Sequence, residues 1–203
     1  MQQLPLAIFP AAAPSFESFI AGANAEALLR VRELTEGCLR ETVLYLWGEA
    51  GSGRSHLLRA AATAAAPARE LVVADDVHAL DEPAQIALFN SINRAREGRG
   101  AVLAAGDAPP VRLALREDLR SRLGWGLVYQ LRALTDEDKA RHLREEAARR
   151  GLGLPDEVIR YLLSRLPRDL PSLNAALELL DRYSLSHQRH VTLPLVREAL
   201  KAD

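Results

Sequence analysis

Hydrophobic and polar positions follow two different patterns along the chain, and the change comes near residue 133. Before it, short apolar runs alternate with segments of helical spacing, which is typical of a parallel sheet flanked by helices. The apolar runs predict strands at 43–47, 71–74, 101–105 and 127–130, and the intervening segments predict helices at 24–40, 55–67 and 84–96. After it, every apolar pattern is helical, and helices are predicted to begin near residues 135, 155, 171 and 192. We therefore predict an α/β domain over 16–133 and a small helical domain over 134–203.

The first 15 residues carry three prolines, which forbid a continuous helix and predict an extended tail. Within this tail, a glutamine is followed by spaced large apolar residues, a pattern that can dock in a groove on another protein. The candidate partner-binding residues are Gln3, Leu4, Leu6 and Ile8. On composition alone, a tail that folds onto its own domain is an equally good interpretation.

The composition limits the classes of function. Of the 203 residues, 48% are hydrophobic, and the formal net charge of −1 gives no bulk attraction to nucleic acid or to an anionic membrane. The single cysteine, Cys38, excludes an internal disulfide and fits a reducing compartment. No segment is long and apolar enough to cross a bilayer, and no secretory leader pattern is present, so we expect a cytoplasmic protein.

A glycine-rich segment links the first predicted strand to a predicted helix, the order that a phosphate-binding loop requires. It fits the spacing G-x-x-x-x-G-K-[ST], except that Arg54 replaces the lysine. Its glycines let backbone N–H groups surround phosphate oxygens, the helix directs its positive dipole end at them, and the Ser55 hydroxyl would bind Mg²⁺. The candidate nucleotide-binding residues are Gly48, Glu49, Ala50, Gly51, Ser52, Gly53, Arg54, Ser55 and His56. A glycine-rich turn that binds nothing is the alternative.

Arg54 sets this loop apart from the usual motif. A lysine ammonium is compact and fits between two phosphates, whereas a guanidinium is planar and wider. We therefore expect nucleotide binding to be retained and hydrolysis at this loop to be slow.

Carboxylates follow the second and third predicted strands. In P-loop proteins the carboxylate that ends the neighbouring strand holds Mg²⁺ through water, and an acidic neighbour can orient the attacking water. Asp75 is therefore the candidate metal ligand and Asp76 the candidate for water activation. Asp107, after the third strand, is placed to contact a γ-phosphate or its water. Turn formation alone would also explain these acidic residues.

Arg122 lies just before the fourth predicted strand and close to a glycine-flanked tryptophan. An arginine finger offered to a neighbouring subunit's nucleotide accelerates hydrolysis about 10³–10⁵-fold where it occurs. A solvated surface arginine is the plainer interpretation.

These segments together resemble the AAA+ class of P-loop proteins and, within it, the DnaA-like branch, most of all its family of DnaA regulatory inactivators. Residues 54–58 resemble that family's phosphate loop, which also carries arginine in place of lysine. Residues 119–126 resemble the arginine-finger segment of DnaA-like proteins, with the finger at Arg122. The other segments that resemble the family are the acidic pair 75–76, the first sensor at 107–110, the lid segments 134–139 and 184–189, and the sliding-clamp-binding motif at 3–8.

The resemblance implies an AAA+ nucleotide-binding domain followed by a helical lid, and a regulator that holds ADP (or ATP) with Mg²⁺. Such a regulator binds the DNA-loaded sliding clamp through its tail and offers Arg122 to ATP bound by the initiator DnaA. DnaA then hydrolyses its ATP and cannot start another round of replication. DNA would be contacted only indirectly, and homo-oligomer formation is left open. The alternative is an autonomous AAA+ ATPase that acts as a loader on DNA, and the two differ in where Arg122 acts.

The chain departs from the family in two places. It passes from the phosphate-loop helix almost directly to the strand at 71–74, where the family normally inserts another strand and helix. In the AAA+ sheet order 5-1-4-3-2 the missing strand is the outer one, so we expect a shortened sheet with an exposed edge and an intact core. In the lid, Pro171 stands where DnaA carries its second-sensor arginine, and Arg168 is the candidate replacement.

Overall fold

The computed structural model describes residues 13–66, 70–167 and 169–202, which form two compact units, 13–133 and 134–202. Each unit has its own hydrophobic core, with two clusters in the first unit and one in the second. The candidate partner-binding residues at 3–8 and the candidate replacement Arg168 lie outside the described residues.

A four-stranded parallel sheet forms the centre of the first unit. Its strands, in the order β2-β3-β1-β4, are β1 (Val43–Trp47), β2 (Leu71–Ala74), β3 (Ala101–Gly106) and β4 (Leu127–Gln130). The first four residues of β1 are buried, as expected of an apolar run in the middle of a parallel sheet. This is the AAA+ strand order without its outer strand, so β2 forms an edge and the predicted shortened sheet is confirmed.

Helices cover both faces of this sheet. They are α1 (Ala25–Glu36), α2 (Arg54–Ala64), α3 (Glu82–Arg96) and α4 (Glu117–Leu123), with 3-10 turns at Gly22–Asn24, Val77–Ala79 and Pro110–Arg112. Leu44 and Leu46 belong to the cluster that includes α1 and α2, whereas Tyr45 belongs to the cluster with α3 and α4. Successive strand residues point to opposite faces, so Tyr45 alone carries a hydroxyl from β1 to the second face.

Three local features differ from the sequence-based predictions. α1 ends at Glu36 rather than residue 40, because Gly37 takes a left-handed conformation with φ of 81° and caps the helix. Asn24, where the pattern predicts the helix to begin, lies just before α1, and its side chain does not cap the helix. Its side chain instead donates to the backbone oxygen of Arg132 at 2.9 Å and accepts the N–H of the same residue at 2.8 Å. The seven-residue helix α4 was not predicted, since so short an element shows too little periodicity.

The described residues of the second unit form four helices, α5 (Asp136–Arg149), α6 (Asp156–Arg165), α7 (Leu170–His187) and α8 (Leu193–Ala202). A capping box starts α5, since Thr135 Oγ1 accepts the N–H of Asp138 while the Asp138 carboxylate accepts the N–H of Thr135. Each helix contributes leucines to one core, among them Leu143, Leu162, Leu177 and Leu195. Over the part of the chain that the structure describes, no helix has the length and apolar character needed to span a membrane.

Candidate phosphate site and arginine surface

The segment between β1 and α2 forms a tight loop in which two glycines are sterically required. A Cβ at Gly48 would lie 2.3 Å from the backbone oxygen of Leu131. Gly53 has a φ of 93°, and a Cβ there would lie 2.7 Å from the ring of Phe19. The first turn of α2 follows at once, beginning with Arg54. Backbone N–H groups and a helix N-terminus therefore meet at this loop, which is the arrangement that binds phosphate in other proteins.

Two buried polar atoms at this loop have no hydrogen-bond partner among the described residues, namely Oγ of Ser52 and Nη1 of Arg54. Ser52 is only 4% exposed. Leaving a buried polar group unpaired costs about 1–3 kcal/mol, so such atoms call for an explanation. A hydroxyl and a guanidinium N–H both donate to phosphate oxygens. The residues present at the loop therefore fit a polyphosphate ligand.

His56 and the segment before α1 lie together beside the loop. Nε2 of His56 lies 2.9 Å from the backbone oxygen of Ser15 and 3.2 Å from Oγ of Ser18. The ring centroids of His56 and Phe19 are 5.6 Å apart. His56, which was predicted as a nucleotide ligand, thus contacts residues 15–19 of its own chain. No motif had indicated that this segment covers the loop.

The predicted carboxylates follow β2 and β3 on the same edge of the sheet as the phosphate loop, because all strands are parallel. Asp75 is half-buried, and its Oδ1 accepts the N–H of Asp76 at 2.9 Å. Asp76 is exposed and has a φ of 45°, which is unusual for a residue other than glycine. Asp107 Oδ1 lies 3.6 Å from Nδ1 of His78. The structure thus places Asp107 beside His78, a residue that the sequence pattern did not single out.

Tyr45 connects the turn that carries Asp107 to the centre of the sheet. It is fully buried, and its hydroxyl donates to the backbone oxygen of Ala108 at 2.8 Å. A Cβ at Gly106 would lie 2.2 Å from the same hydroxyl. Burial raises the pKa of Tyr45 far above its ordinary value; the charge of Asp107 adds to this and that of Arg54 opposes it. The hydroxyl therefore stays protonated and acts as a donor. The sequence did not predict Tyr45 as a site residue, because its hydroxyl within an apolar run is the only signal that it offers.

Arg122 lies in the last turn of α4, half-buried, with its side chain along the surface of the first unit. Its Nη1 donates to Oδ1 of Asn93 on α3. Its guanidinium carbon lies 4.4 Å from the ring centroid of Trp125 and 5.1 Å from that of Phe89. Trp125 is 57% exposed. Arg122 is therefore held by neighbouring side chains without being enclosed by them.

A metal site formed by protein side chains alone is absent from the described residues, in which no group of three or more His, Cys, Asp and Glu side chains is arranged to hold an ion. Mg²⁺ at a nucleotide site usually needs only one or two protein oxygens, because phosphates and water supply the rest. The prediction that Ser55, in the first turn of α2, and Asp75 bind Mg²⁺ therefore does not require such a cluster.

The strand order, the loop after the central strand and the separate helical unit define a member of the AAA+ class. Domain III of the replication initiation protein DnaA of Thermotoga maritima is similar, with a TM-score of 0.70 at 21% identity over 93% of this chain and 95% of that chain. AMPPCP-bound DnaA from Aquifex aeolicus has a TM-score of 0.71 at 22% identity, over 88% of this chain and 68% of that chain. At these identities the likeness shows the fold.

Sequence comparisons identify the family within this class. The family model described as the lid domain of Hda matches residues 136–200. A protein of Haemophilus influenzae, described only as uncharacterized, is 35% identical over 98% of this chain and 98% of its own length. The chain belongs to the Hda-like family of DnaA-related AAA+ proteins, and the resemblance inferred from its motifs is confirmed.

Proposed function

We propose that this chain is a nucleotide-bound regulator that binds the DNA-loaded sliding clamp and stimulates hydrolysis of ATP on the initiator DnaA through Arg122. The observation that carries the proposal is the position of Arg122 on the surface, against the exposed ring of Trp125. Its hydrogen-bond partner is Asn93, an uncharged amide. An arginine held in this way keeps its charge for an anion on another molecule, and its planar group suits phosphate oxygens.

The phosphate loop would hold the regulator's own nucleotide, with ADP as the expected occupant. The donors would be backbone N–H groups of residues 48–53, except that of Ser52, which donates to the backbone oxygen of Glu49. Ser52 Oγ and Arg54 Nη1, two atoms that lack a partner in the described residues, would complete the set. The similar DnaA of Aquifex aeolicus is solved with AMPPCP bound. Ser55 and Asp75 would bind Mg²⁺, which neutralises phosphate charge when it is present.

Slow hydrolysis at the chain's own loop is part of the proposal. Arg54 takes the position of the usual lysine, and its wider group does not fit between two phosphates as an ammonium does. Pro171 lies in the first turn of α7 and carries no charge to offer a nucleotide. Asp76 and Asp107 remain the residues proposed to orient water, at a site that turns over slowly. Such a chain keeps its diphosphate and acts on the nucleotide of its partner.

The tail is proposed as the segment that binds the clamp, in the cytoplasm where the chromosome is replicated. Its contact residues would be Gln3, Leu4, Leu6 and Ile8. Replacing Gln3 and Leu6 by alanine is expected to abolish capture of the chain by immobilised clamp and to leave its thermal unfolding temperature unchanged. A lower unfolding temperature with retained capture would show that the tail belongs to the core of its own domain.

The decisive test of the proposed function is the effect of Arg122→Ala on DnaA that carries radiolabelled ATP, with clamp-loaded DNA present. We expect stimulated hydrolysis to fall about 10³-fold or more, because the transition-state charge loses its guanidinium. The amount of nucleotide retained by the chain itself should not change. Arg112→Ala, which removes an exposed arginine of the same unit, is the matched control and should retain stimulation. Rapid ATP hydrolysis by the isolated chain, slowed by Arg122→Ala, would instead favour an autonomous ATPase that acts as a loader.

A further inference from the structure

Trp125 contacts a second arginine that the proposed function does not use. The guanidinium carbon of Arg96 lies 4.5 Å from the centroid of this ring, and that of Arg122 lies 4.4 Å from it. Arg96 ends α3 and Arg122 lies in the last turn of α4, so two helices bring their C-terminal cations to one exposed ring. Both cations are favoured by the negative ends of their helices.

Neither of these two arginines forms an ion pair with an Asp or Glu of the described residues, although others on the same elements do. Arg94, also in the last turn of α3, lies 3.5 Å from Glu70, and Arg116, just before α4, lies 3.0 Å from Asp118. Two unneutralised cations beside one ring repel each other, and an anion that contacts both of them offsets that cost. The surface is therefore poised for a multiply charged anion from outside the chain.

We propose that Arg96 is a second phosphate-binding arginine, which acts with Arg122 on the triphosphate held by a neighbouring AAA+ subunit. The proposal rests on the proposed function, in which Arg122 serves that nucleotide, and adds a residue from a different helix. Each guanidinium carbon lies within 4.5 Å of the centroid of Trp125, so the ring ties both groups to one patch of the surface. Guanidinium groups bind phosphate oxygens through paired N–H donors, and a second arginine adds a further set of donors and a further positive charge.

The two arginines are expected to differ in what they contribute. Arg122 is half-buried and anchored by Asn93, so its geometry is fixed for the transition state. Arg96 is exposed, and its contact with Trp125 is its structural anchor in the described residues. A loosely held cation binds the ground state and the transition state about equally, which changes the half-saturating concentration rather than the maximal rate.

The test measures stimulated hydrolysis by ATP-loaded DnaA as the concentration of the regulator is varied. Arg96→Ala should raise the half-saturating concentration about tenfold, the loss of one charge-assisted contact, and keep the maximal rate within about twofold. The half-saturating concentration of Arg96→Lys should lie between those of Arg96→Ala and the unchanged chain. Arg99→Ala, which removes an exposed arginine just beyond the end of α3, is the matched control and should change neither quantity. Retained nucleotide and the thermal unfolding temperature should be the same in all variants.

The outcomes separate this inference from the proposed function. If Arg96→Ala behaves like Arg99→Ala while Arg122→Ala abolishes stimulation, the second arginine is rejected and the proposed function stands. If Arg122→Ala also leaves stimulation intact, the proposed function itself fails, and the inference fails with it. Trp125→Ala should combine a raised half-saturating concentration with a lowered maximal rate, because it releases both arginines. A normal response from Trp125→Ala would contradict the positioning role of the ring.

Discussion

The phosphate loop of residues 48–56 and the arginine surface, formed by Arg96, Arg122 and Trp125, are both proposed to bind phosphate oxygens, yet the fold builds them differently. The loop is one contiguous segment whose donors are largely backbone groups, fixed at each end by β1 and α2. The arginine surface joins α3, α4 and the residue after α4, and its donors are side chains held by ring contacts.

This difference matches the two proposed tasks. A donor fixed in the backbone costs little further ordering when a ligand binds, so the loop suits a nucleotide that stays bound. A guanidinium held by a ring contact of about 0.5–1 kcal/mol, as Arg96 is, can leave its resting place at small cost, whereas the hydrogen bond to Asn93 keeps Arg122 in place. The arginine surface therefore suits a partner that arrives and departs. Variants that affect one region and spare the other test this comparison directly.

After the loss expected for Arg122→Ala, the largest effect is expected for Gly48→Ala, which should lower nucleotide affinity by about 100-fold or more. The new Cβ would lie 2.3 Å from a backbone oxygen of Leu131, so the loop itself must move, at a cost near the upper end of the usual range of about 1–3 kcal/mol. Calorimetric titration with ADP measures the affinity. Gly153→Ala is the control, because a Cβ there meets nothing within 4 Å. Unchanged ADP affinity in Gly48→Ala would place the nucleotide site elsewhere.

A somewhat smaller effect is expected for Arg54→Met, which should weaken ADP binding about 10–100-fold, the value of one hydrogen bond to a charged group. Methionine keeps the apolar stem and removes the buried Nη1 that lacks a partner in the described residues. Without nucleotide, the free energy of unfolding should therefore be unchanged or slightly higher. Chemical denaturation of the nucleotide-free chain measures whether the free energy of unfolding rises, stays the same or falls. A clear loss of stability in that form would mean that Arg54 serves the fold rather than the ligand.

Asn93→Asp should reduce stimulated hydrolysis about tenfold, the next effect in size. A carboxylate at this position would pair with Arg122 and compete with the phosphates that it is proposed to bind. Asn93→Ala should cost only about threefold, because Phe89 and Trp125 still hold the guanidinium. The ADP affinity of both variants should equal that of the unchanged chain. Equal stimulated hydrolysis by the two variants would contradict the inference that a carboxylate competes with phosphate for Arg122.

The local structure around the phosphate loop could be predicted from the sequence, because the residues of its motif are contiguous. β1 has the predicted bounds, and the helix after the loop begins within one residue of its predicted start. Strand order and the loss of the outer strand followed from the family resemblance. The bounds of the strand, loop and helix rest on residues that are neighbours along the chain, where pattern and spacing carry the information.

The arginine surface could not be assembled in the same way. Arg122 was singled out by its motif, but its partner Asn93 is 29 positions away on another helix, and α4 itself is too short for a periodic pattern. The hydrogen bond from Tyr45 to Ala108 spans 63 positions. Contacts of this kind depend on how helices pack across the sheet, which no local spacing encodes. The burial of Ser52 Oγ likewise arises only when the chain packs, so the sequence could not predict it.

The smallest effect is expected for Tyr45→Phe, which tests whether the carboxylate edge is coupled to the loop. Removing the hydroxyl leaves the Ala108 oxygen without its donor at 2.8 Å, which loosens the turn that carries Asp107 and costs about 1 kcal/mol of stability. We expect ATP affinity to fall about threefold and ADP affinity to stay constant, because Asp107 is proposed to contact only the γ-phosphate or its water. Tyr129→Phe removes an exposed hydrogen bond to Glu26 from the same sheet and should change neither affinity. Equal losses for both nucleotides would show that Tyr45 supports the whole loop rather than the Asp107 turn.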